Sequence, residues 1–109
     1  MRVLFDQGTP VPLRESLGEH DVSTAYERGW STLANSDLLD VAEKEGFEVL
    51  VTTDRNLPYQ QDLGTRSIAI VVLNTTSWPR IRRGVPAVVR AVEGAAPGSY
   101  LEVPFSNVG

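Results

Sequence analysis

Five segments of the chain carry the apolar patterns of β-strands. The most apolar are Phe47–Thr53, which holds Val, Leu and Val in succession, and Ile68–Leu73. Near-continuous apolar runs of this kind are typical of strands that are covered on both faces of a sheet. Arg2–Phe5 predicts a first strand, the more polar His20–Ala25 predicts a strand nearer the sheet edge, and Tyr100–Phe105 predicts another edge strand.

The best-defined helical pattern lies directly before the Phe47–Thr53 strand. Ser36 or Asn35 is expected to cap the start of this helix, because short polar side chains accept hydrogen bonds from the first backbone amides. Gly46 is expected to end it. The apolar face is formed by side chains at helical spacing, namely Leu38, Leu39 and Ala42.

The remaining segments between strands are shorter and richer in turn-forming residues. A short helix is predicted over residues 12–18, and a short helix or turn over Leu57–Gly64. The Val-rich segment Val85–Gly94 repeats apolar residues at the spacing of a helix and predicts a longer one. Trp78–Arg83 is predicted to be a turn, and Glu27–Asn35 a loop that its tryptophan anchors.

Strands and helices alternate along the chain, and this alternation predicts an α/β fold. We expect a small three-layer sandwich in which helices cover both faces of a mainly parallel sheet of four or five strands. A single domain is expected to span residues 1–109. Such sheets commonly have the strand order 2-1-3-4-5, which makes the first strand a neighbour of the Phe47–Thr53 strand. The chain after Phe105 is expected to fray.

The composition is that of an ordinary globular domain, with 41% hydrophobic and 22% charged residues. No segment is long and apolar enough to cross a bilayer, and the strand pattern at the very start predicts no signal peptide. The chain has no cysteine, which excludes disulfides, thiolate metal sites and cysteine nucleophiles. A cytoplasmic location is expected. The net charge of −4 argues against broad electrostatic capture of nucleic acid, although it is compatible with a local basic patch.

Aspartates follow two of the predicted strands. Asp6 comes directly after Arg2–Phe5, and Asp54 comes directly after the Phe47–Thr53 strand. Because neighbouring parallel strands end at the same edge of a sheet, the two backbones are expected about 4.8 Å apart there. Open α/β sheets bind their ligands at this edge. Asp37, at the start of the helix that leads into the second of these strands, is expected near the same edge.

Carboxylates that gather at one edge repel each other unless a proton, a basic side chain or a cation neutralises them. Arg55 is adjacent and is one candidate partner. Mg²⁺ or Mn²⁺ is the other, because hard ions bind a few carboxylates and leave positions for phosphate oxygens, and such an ion can generate a hydroxide for phosphodiester cleavage. Simpler roles are also open: Asp6 and Asp54 would suit the capping of turns, and Asp37 would suit the helix dipole.

Two stretches of the sequence, RVLFDQGTP and NSDLLDVAEKEGFEVLVTTDRNL, resemble the PIN-like proteins of the DUF5615 type, which are compact relatives of the PIN-domain ribonucleases. The resemblance covers roughly Met1 to Leu73, and its most specific part ends in the Thr-x-Asp that follows the apolar strand. It implies a metal-dependent ribonuclease whose catalytic and metal-binding acids are Asp6, Asp37 and Asp54. Related PIN proteins are often toxins paired with an antitoxin, so the implied partners are RNA and an antitoxin protein.

Supporting roles also follow from the resemblance. Thr52, the threonine of the Thr-x-Asp motif, would orient a carboxylate or a water, and Asn56 would be a further ligand or water holder. Gln7 stands where many relatives carry Glu. The mid-chain acid of full-length PIN domains has no clear match, with Glu27 only a loose candidate. Both departures favour one metal ion or none over two.

Three arginines follow the fourth predicted strand and are candidates for contacts to RNA phosphates. They are Arg80, Arg82 and Arg83. A solvated turn is the alternative interpretation of the same residues. Because they follow the carboxyl end of a strand, they are expected near the same edge of the sheet as the aspartates.

Three functions remain as alternatives. The first is a PIN-type ribonuclease that depends on Mg²⁺ or Mn²⁺. The second is a catalytically inactive PIN-like module that binds an antitoxin or another protein, or that pairs with a second copy through its last helix or the Tyr100 strand. The third is a receiver domain, with an Asp after strand three and Thr75 after strand four, although the lysine that receivers carry after strand five is missing.

Overall fold

Within residues 1–105, five strands form one parallel sheet in the order β2-β1-β3-β4-β5. The computed structural model describes residues 1–105, so the predicted fraying after Phe105 lies outside the described residues. The strands are β1 Arg2–Phe5, β2 Asp21–Thr24, β3 Val49–Thr52, β4 Ala69–Leu73 and β5 Tyr100–Val103. The parallel sheet and its strand order confirm the prediction from the sequence.

Helices connect the strands and cover both faces of the sheet. They are α1 Leu13–Ser16, α2 Asn35–Lys44, α3 Leu57–Gln60, α4 Trp78–Arg83 and α5 Val85–Glu93, with one turn of 3-10 helix at Leu63–Thr65. The segment predicted as a helix or turn over Leu57–Gly64 therefore divides into α3 and the start of the 3-10 turn. The alternation of strands and helices gives the α/β fold that the sequence predicts.

Side chains that alternate along the central strands form two separate apolar cores. Phe5, Val51 and Val71 point to the face that is covered by α1, α4 and α5. Leu4 and Leu50, each one residue earlier in its strand, point to the face that is covered by α2 and α3. Because both faces of the sheet are buried in this way, β3 and β4 are apolar without alternation, apart from Thr52 at the end of β3. The three-layer sandwich is thus confirmed.

The two edge strands differ from the central ones in polarity. β2 is exposed or partly exposed over most of its length, as its polar sequence predicts. At the opposite edge, Tyr100, Leu101 and Glu102 are exposed and only Val103 is buried. The prediction of an edge strand at Tyr100–Phe105 is confirmed, although the strand ends at Val103.

The prediction of a turn over Trp78–Arg83 is wrong, because this segment is the helix α4. Pro79 lies in the first turn of the helix, where its missing amide has no partner to lose, and Ile81 is fully buried against the sheet. α4 and α5 are separated at Gly84. Ile81 and the partly buried Trp78 both pack against the core below α4.

The start of α2 also differs from the prediction. The helix begins at Asn35, and Ala34 occupies the capping position without any side-chain hydrogen bond. Neither Ser36 nor Asn35 is a cap, because the Asn35 amide donates instead to Asp54. The end of the helix near Gly46 is as predicted, with a positive φ of 84° at this glycine.

Two further features fit the sequence. Residues 27–34 form the predicted loop, and its Trp30 packs edge-on against Phe47 with 6.0 Å between the ring centroids. Within residues 1–105, every helix is too short or too polar to cross a bilayer.

Candidate functional site

Asp6 and Asp54 lie in neighbouring loops at the carboxyl edge of the sheet. β1 and β3 are adjacent and parallel, so the loops that follow them leave the sheet side by side. The loop after β1 leads to α1 on one face, and the loop after β3 leads to α3 on the other. Adjacent strands whose connections leave to opposite faces create a crevice, which is the usual ligand site of an open α/β sheet.

Asp6 is partly buried and uses its two carboxylate oxygens differently. Oδ1 accepts a hydrogen bond of 2.8 Å from the backbone amide of Gln7, within its own turn. Oδ2 accepts a hydrogen bond of 2.8 Å from the hydroxyl of Thr52 on the neighbouring strand. The amide of Asp6 also donates to the carbonyl of Val51 at 2.9 Å, which extends the β1–β3 ladder to this residue.

Asp54 is tied to the same threonine. Its backbone amide donates to the Thr52 hydroxyl at 3.0 Å. Its Oδ1 accepts from the Asn56 amide at 3.0 Å within the turn, while its Oδ2 accepts from the Asn35 side chain at 3.1 Å. Both aspartates thus cap their own turns with one oxygen and turn the other toward a neighbouring element. Turn capping, the simpler role that the sequence leaves open for these acids, is therefore compatible with their pairing at the sheet edge.

The electrostatics of this pair are unfavourable to full ionisation. Burial raises the pKa of Asp6, the hydrogen bonds from Thr52 and Gln7 partly counter this, and the charge of Asp54 raises it further. The repulsion that the sequence predicts between carboxylates at one edge is therefore present for this pair. A proton or a bound cation at Asp6 relieves it.

A glycine allows the loop after β1 to lie close to the loop after β3. Gly8 has a φ of 96°, and a Cβ atom built on it would approach the Thr53 hydroxyl to 2.9 Å. The next residue, Thr9, is buried and its hydroxyl donates to the carbonyl of Val51 at 2.9 Å. The contacts of Gly8 and Thr9 thus hold the loop that carries Asp6 against β3 and the residue that follows it.

Asp37, the third predicted acid, is exposed in the first turn of α2. Among residues 1–105, no hydrogen bond or ion pair joins its side chain to Asp6 or Asp54. No three side chains of the types His, Cys, Asp and Glu lie close enough to hold one metal ion in this part of the chain. The structure therefore brings together two of the three predicted acids. The role of Asp37 as a ligand stays a prediction.

The predicted supporting residues take different positions. Thr52 is fully buried and orients Asp6, as the resemblance implies. Arg55 does not neutralise the acids, because its guanidinium binds Glu102 on β5 at 2.9 Å. Gln7 and Asn56 are exposed beside the acids and contact them through their backbone amides. Their side chains remain candidates for holding water or an ion.

The three candidate RNA-binding arginines lie on α4, which follows the carboxyl end of β4. Arg82 and Arg83 are exposed, and Arg80 is partly buried. They therefore lie on a helix rather than in the solvated turn of the alternative interpretation. Contact with RNA phosphates stays a prediction for all three.

Two pockets adjoin the acids, one on each side. The first, of about 370 Å³, lies between the ends of β1 and β2 and is lined by Asp6 together with Gly8, Arg14, Thr24, Tyr26 and Glu27, among others. The second, of about 350 Å³, begins at the residue after Asp54 and is lined by Arg55, Asn56, Tyr59 and Glu102. The candidate site is thus the middle of a longer surface along the carboxyl edge.

Sequence reasoning missed the role of Asn35. Its side chain donates to Asp54 and also to the Gln60 side chain at 3.4 Å, so it links α2 to the loop after β3 and to α3. An asparagine just before an apolar helix is a common capping residue, and the sequence offers no signal that distinguishes this second use. The contact of Asn35 with Asp54 depends on how α2 packs across the sheet.

Compared with family models, with curated proteins and with solved structures, the chain gives no match. The resemblance to PIN-like proteins therefore stays a prediction, and the geometry around Asp6 and Asp54 is the basis for a functional assignment.

Proposed function

We propose that the protein is an endoribonuclease of the PIN type that depends on Mg²⁺ or Mn²⁺, with Asp6 and Asp54 as its metal-binding and catalytic acids. One observation carries the proposal: at the carboxyl edge of a parallel sheet, the buried hydroxyl of Thr52 donates to the Asp6 carboxylate and accepts from the Asp54 amide, so it joins the two acids that follow β1 and β3. Turn capping alone does not explain why one hydroxyl joins the two acids. A cation-binding pair accounts for this link.

The residues present fit one divalent ion rather than two. Mg²⁺ in enzymes is commonly bound by one or two carboxylates, with waters and substrate phosphate oxygens in the remaining positions. Asp6 and Asp54 supply two carboxylates, and Asn56 and Gln7 lie beside them as exposed amides. When bound, such an ion supplies a hydroxide nucleophile and stabilises the charge of phosphodiester cleavage.

The chain's own residues hold the carboxylates in place. The Thr52 hydroxyl fixes Oδ2 of Asp6, and the Asn35 amide fixes Oδ2 of Asp54. Because both donors are anchored in regular secondary structure, the acids need little rearrangement when they bind a ligand.

The test combines metal binding with RNA cleavage. We expect calorimetry to detect Mn²⁺ binding, and a labelled RNA to be cleaved in the presence of Mn²⁺ but not of EDTA. Asp6→Asn and Asp54→Asn should each lower the Mn²⁺ affinity and reduce cleavage by about a hundredfold or more, as expected for the loss of a group that positions the reacting centre.

The matched controls are two other exposed aspartates. Asp62→Asn, in the loop before the 3-10 turn, should leave binding and cleavage unchanged. If the site consists of two carboxylates, Asp37→Asn should have little effect on Mn²⁺ binding. If Asp37 becomes a third ligand when the ion binds, the same substitution should lower the Mn²⁺ affinity. Cleavage that persists in both Asp6→Asn and Asp54→Asn contradicts the proposal.

A second candidate function is a catalytically inactive PIN-like module that binds a protein. The observation that favours it is the exposed edge strand β5, where Tyr100 and Leu101 leave apolar surface uncovered, because exposed edges readily pair with another chain. An antitoxin or a second copy would be the partner, and a cytoplasmic location belongs to either proposal. Absence of Mn²⁺ binding, together with self-association or complex formation that Leu101→Lys disrupts, would support this alternative.

A phosphoacceptor receiver has less support. Receivers share the strand order of this sheet, and Asp54 follows β3 as a phosphoacceptor would. However, the hydroxyl of Thr75 accepts a hydrogen bond of 3.1 Å from the Ser77 amide within its own turn, and Lys44 on α2 is the only lysine of the chain. Incorporation of phosphate from a small phosphodonor would revive this alternative.

A further inference from the structure

The two most exposed large apolar side chains among the described residues are both tyrosines, and they lie on opposite sides of the acid pair. Tyr26 is 82% exposed and Tyr59 is 75% exposed. Aromatic side chains usually bury most of their surface. Both rings are exposed, and each lies in a pocket near one of the two aspartates. A ligand with two flat groups on either side of a charged centre would fit this arrangement.

The pocket that contains Tyr26 is built around an ion pair. Arg14 on α1 binds Glu27, and Glu27 also accepts a hydrogen bond of 2.9 Å from the Thr24 amide at the end of β2. The bond from Arg14 lowers the pKa of Glu27, so this carboxylate stays ionised. The tyrosine thus projects from a turn that is fixed on two sides, and Asp6 forms the opposite wall of the pocket.

The pocket that contains Tyr59 has a similar construction. Arg55 binds Glu102, and the Tyr59 ring is held edge-on by Tyr100 with 5.8 Å between centroids. Arg55 and Asn56, which line this pocket, directly follow Asp54 in the chain. Volumes of about 350 and 370 Å³ lie at the lower end of the range of small-ligand pockets, about 300–1,000 Å³.

We propose that the protein binds single-stranded nucleic acid along this edge, with one base stacked on Tyr26, another on Tyr59, and the connecting backbone at Asp6 and Asp54. The assignment of the backbone phosphate to the acids rests on the proposed ribonuclease function. The two stacking sites do not depend on catalysis. From β2 to β5 the edge spans four strand spacings of about 4.8 Å each, which a few nucleotides cover.

Charge favours stacking over phosphate contacts as the source of affinity. The chain has a net charge of −4, and the arginines that line the two pockets, Arg14 and Arg55, are already paired with glutamates. Stacking on aromatic side chains tolerates any base sequence and needs bases that are not already stacked in a duplex. The expected ligand is therefore a single strand, bound with little sequence preference and a weak dependence on salt.

The test measures binding in EDTA, so that no cleavage takes place. A short fluorescently labelled single-stranded RNA is titrated with the protein at low ionic strength and followed by anisotropy. Tyr26→Ala and Tyr59→Ala should each raise the Kd by about tenfold, the size expected for the loss of one base stack. Tyr26→Phe and Tyr59→Phe should restore affinity, because they keep the aromatic face. A duplex of the same sequence should compete poorly.

Leu101→Ala is the matched control, because Leu101 is exposed on β5 and lines neither pocket. It should leave the Kd unchanged. The inference is overturned if the wild-type protein does not bind the single strand, if both alanine variants bind as tightly as wild type, or if the duplex competes equally. It is also overturned if the tyrosines prove to mediate self-association that excludes RNA, which sedimentation at several concentrations would reveal.

The outcomes separate this inference from the proposed function. Binding that depends on the tyrosines in a protein that never cleaves RNA supports the stacking sites and contradicts the nuclease. Cleavage that depends on Asp6 but is indifferent to both tyrosines supports the nuclease and overturns the stacking sites.

Discussion

At the scale of single residues, the ionised carboxylate of Asp6 destabilises the folded protein, and its hydrogen bonds only partly offset this effect. Burial and the neighbouring Asp54 raise its pKa, against the hydrogen bonds from Thr52 and Gln7. The folded protein therefore binds a proton at Asp6 more tightly than the unfolded chain does. Between the ordinary pKa of an aspartic acid and the raised one, this residue lowers the free energy of unfolding as the pH rises. Residues of this kind are typical of functional sites.

We predict that Asp6→Asn removes this dependence. In EDTA, the difference in unfolding free energy between the variant and wild type should shift in favour of the variant as the pH rises from the acid range to neutrality. Urea titrations at several pH values, followed by circular dichroism, measure this difference. A difference that is constant with pH, or one that shifts toward wild type, contradicts the raised pKa.

Thr52 carries the link between the two acids, and its replacement provides the second prediction. Thr52→Val keeps the shape of the buried side chain but leaves the Asp54 amide and one oxygen of Asp6 without this partner. Loss of buried hydrogen bonds of this kind costs about 1–3 kcal/mol. Urea unfolding should show this loss, and RNA cleavage should fall as well. Thr52→Ser, which keeps the hydroxyl, should retain most of both properties.

At the scale of elements, α2 is held to the segment before β4 by one arginine. Arg66 binds Asp40 at 2.6 Å and Glu43 at 2.7 Å, and Glu43 also accepts hydrogen bonds from the amide and hydroxyl of Ser67. Burial acts to raise the pKa of Glu43, but the bonds from Arg66 and Ser67 outweigh it and lower that pKa. This cluster fixes the helix that positions Asn35 over the acids.

The third prediction concerns this cluster. Glu43→Gln should cost about 1–3 kcal/mol at neutral pH, because a charged acceptor of several hydrogen bonds is lost. Since the folded pKa of Glu43 is lowered, its contribution is present above the unfolded pKa and disappears as the pH falls through the folded value. The difference from wild type in urea unfolding should therefore shrink on acidification, opposite to Asp6. Asp40→Asn, the control at the exposed partner, should cost no more than about 1 kcal/mol.

The sequence predicts elements well where one physical pattern dominates and less well where several compete. β3 and β4 are continuous apolar runs, which few structures other than a buried strand accommodate. Trp78–Arg83 is predicted as a turn, and its one proline and three arginines outnumber its one fully buried residue, Ile81. Burial of that residue against the sheet outweighs the local preferences, and burial depends on neighbours that are distant along the chain.

At the scale of the whole molecule, strand order determines which distant residues meet. Given the order 2-1-3-4-5, the sequence suffices to place Asp6 beside Asp54, and the structure has this order. It does not suffice for Asp37 or Asn35, because both lie on α2, and the rotation of a helix over a sheet decides which of its residues face the loops. Asn35 and Asp37 are only two positions apart on α2, yet Asn35 contacts Asp54 and Asp37 is exposed.

The last prediction joins the acid pair to the stability of the whole molecule. A ligand that binds only the folded protein stabilises it by about 2.7 kcal/mol at a concentration one hundred times its Kd. If Mn²⁺ binds between Asp6 and Asp54, it should raise the free energy of unfolding by this amount, and the effect should weaken on acidification as Asp6 becomes protonated. Urea unfolding with Mn²⁺ and with EDTA measures the effect. Asp62→Asn should show the same stabilisation, whereas equal stabilisation of Asp54→Asn would place the ion elsewhere.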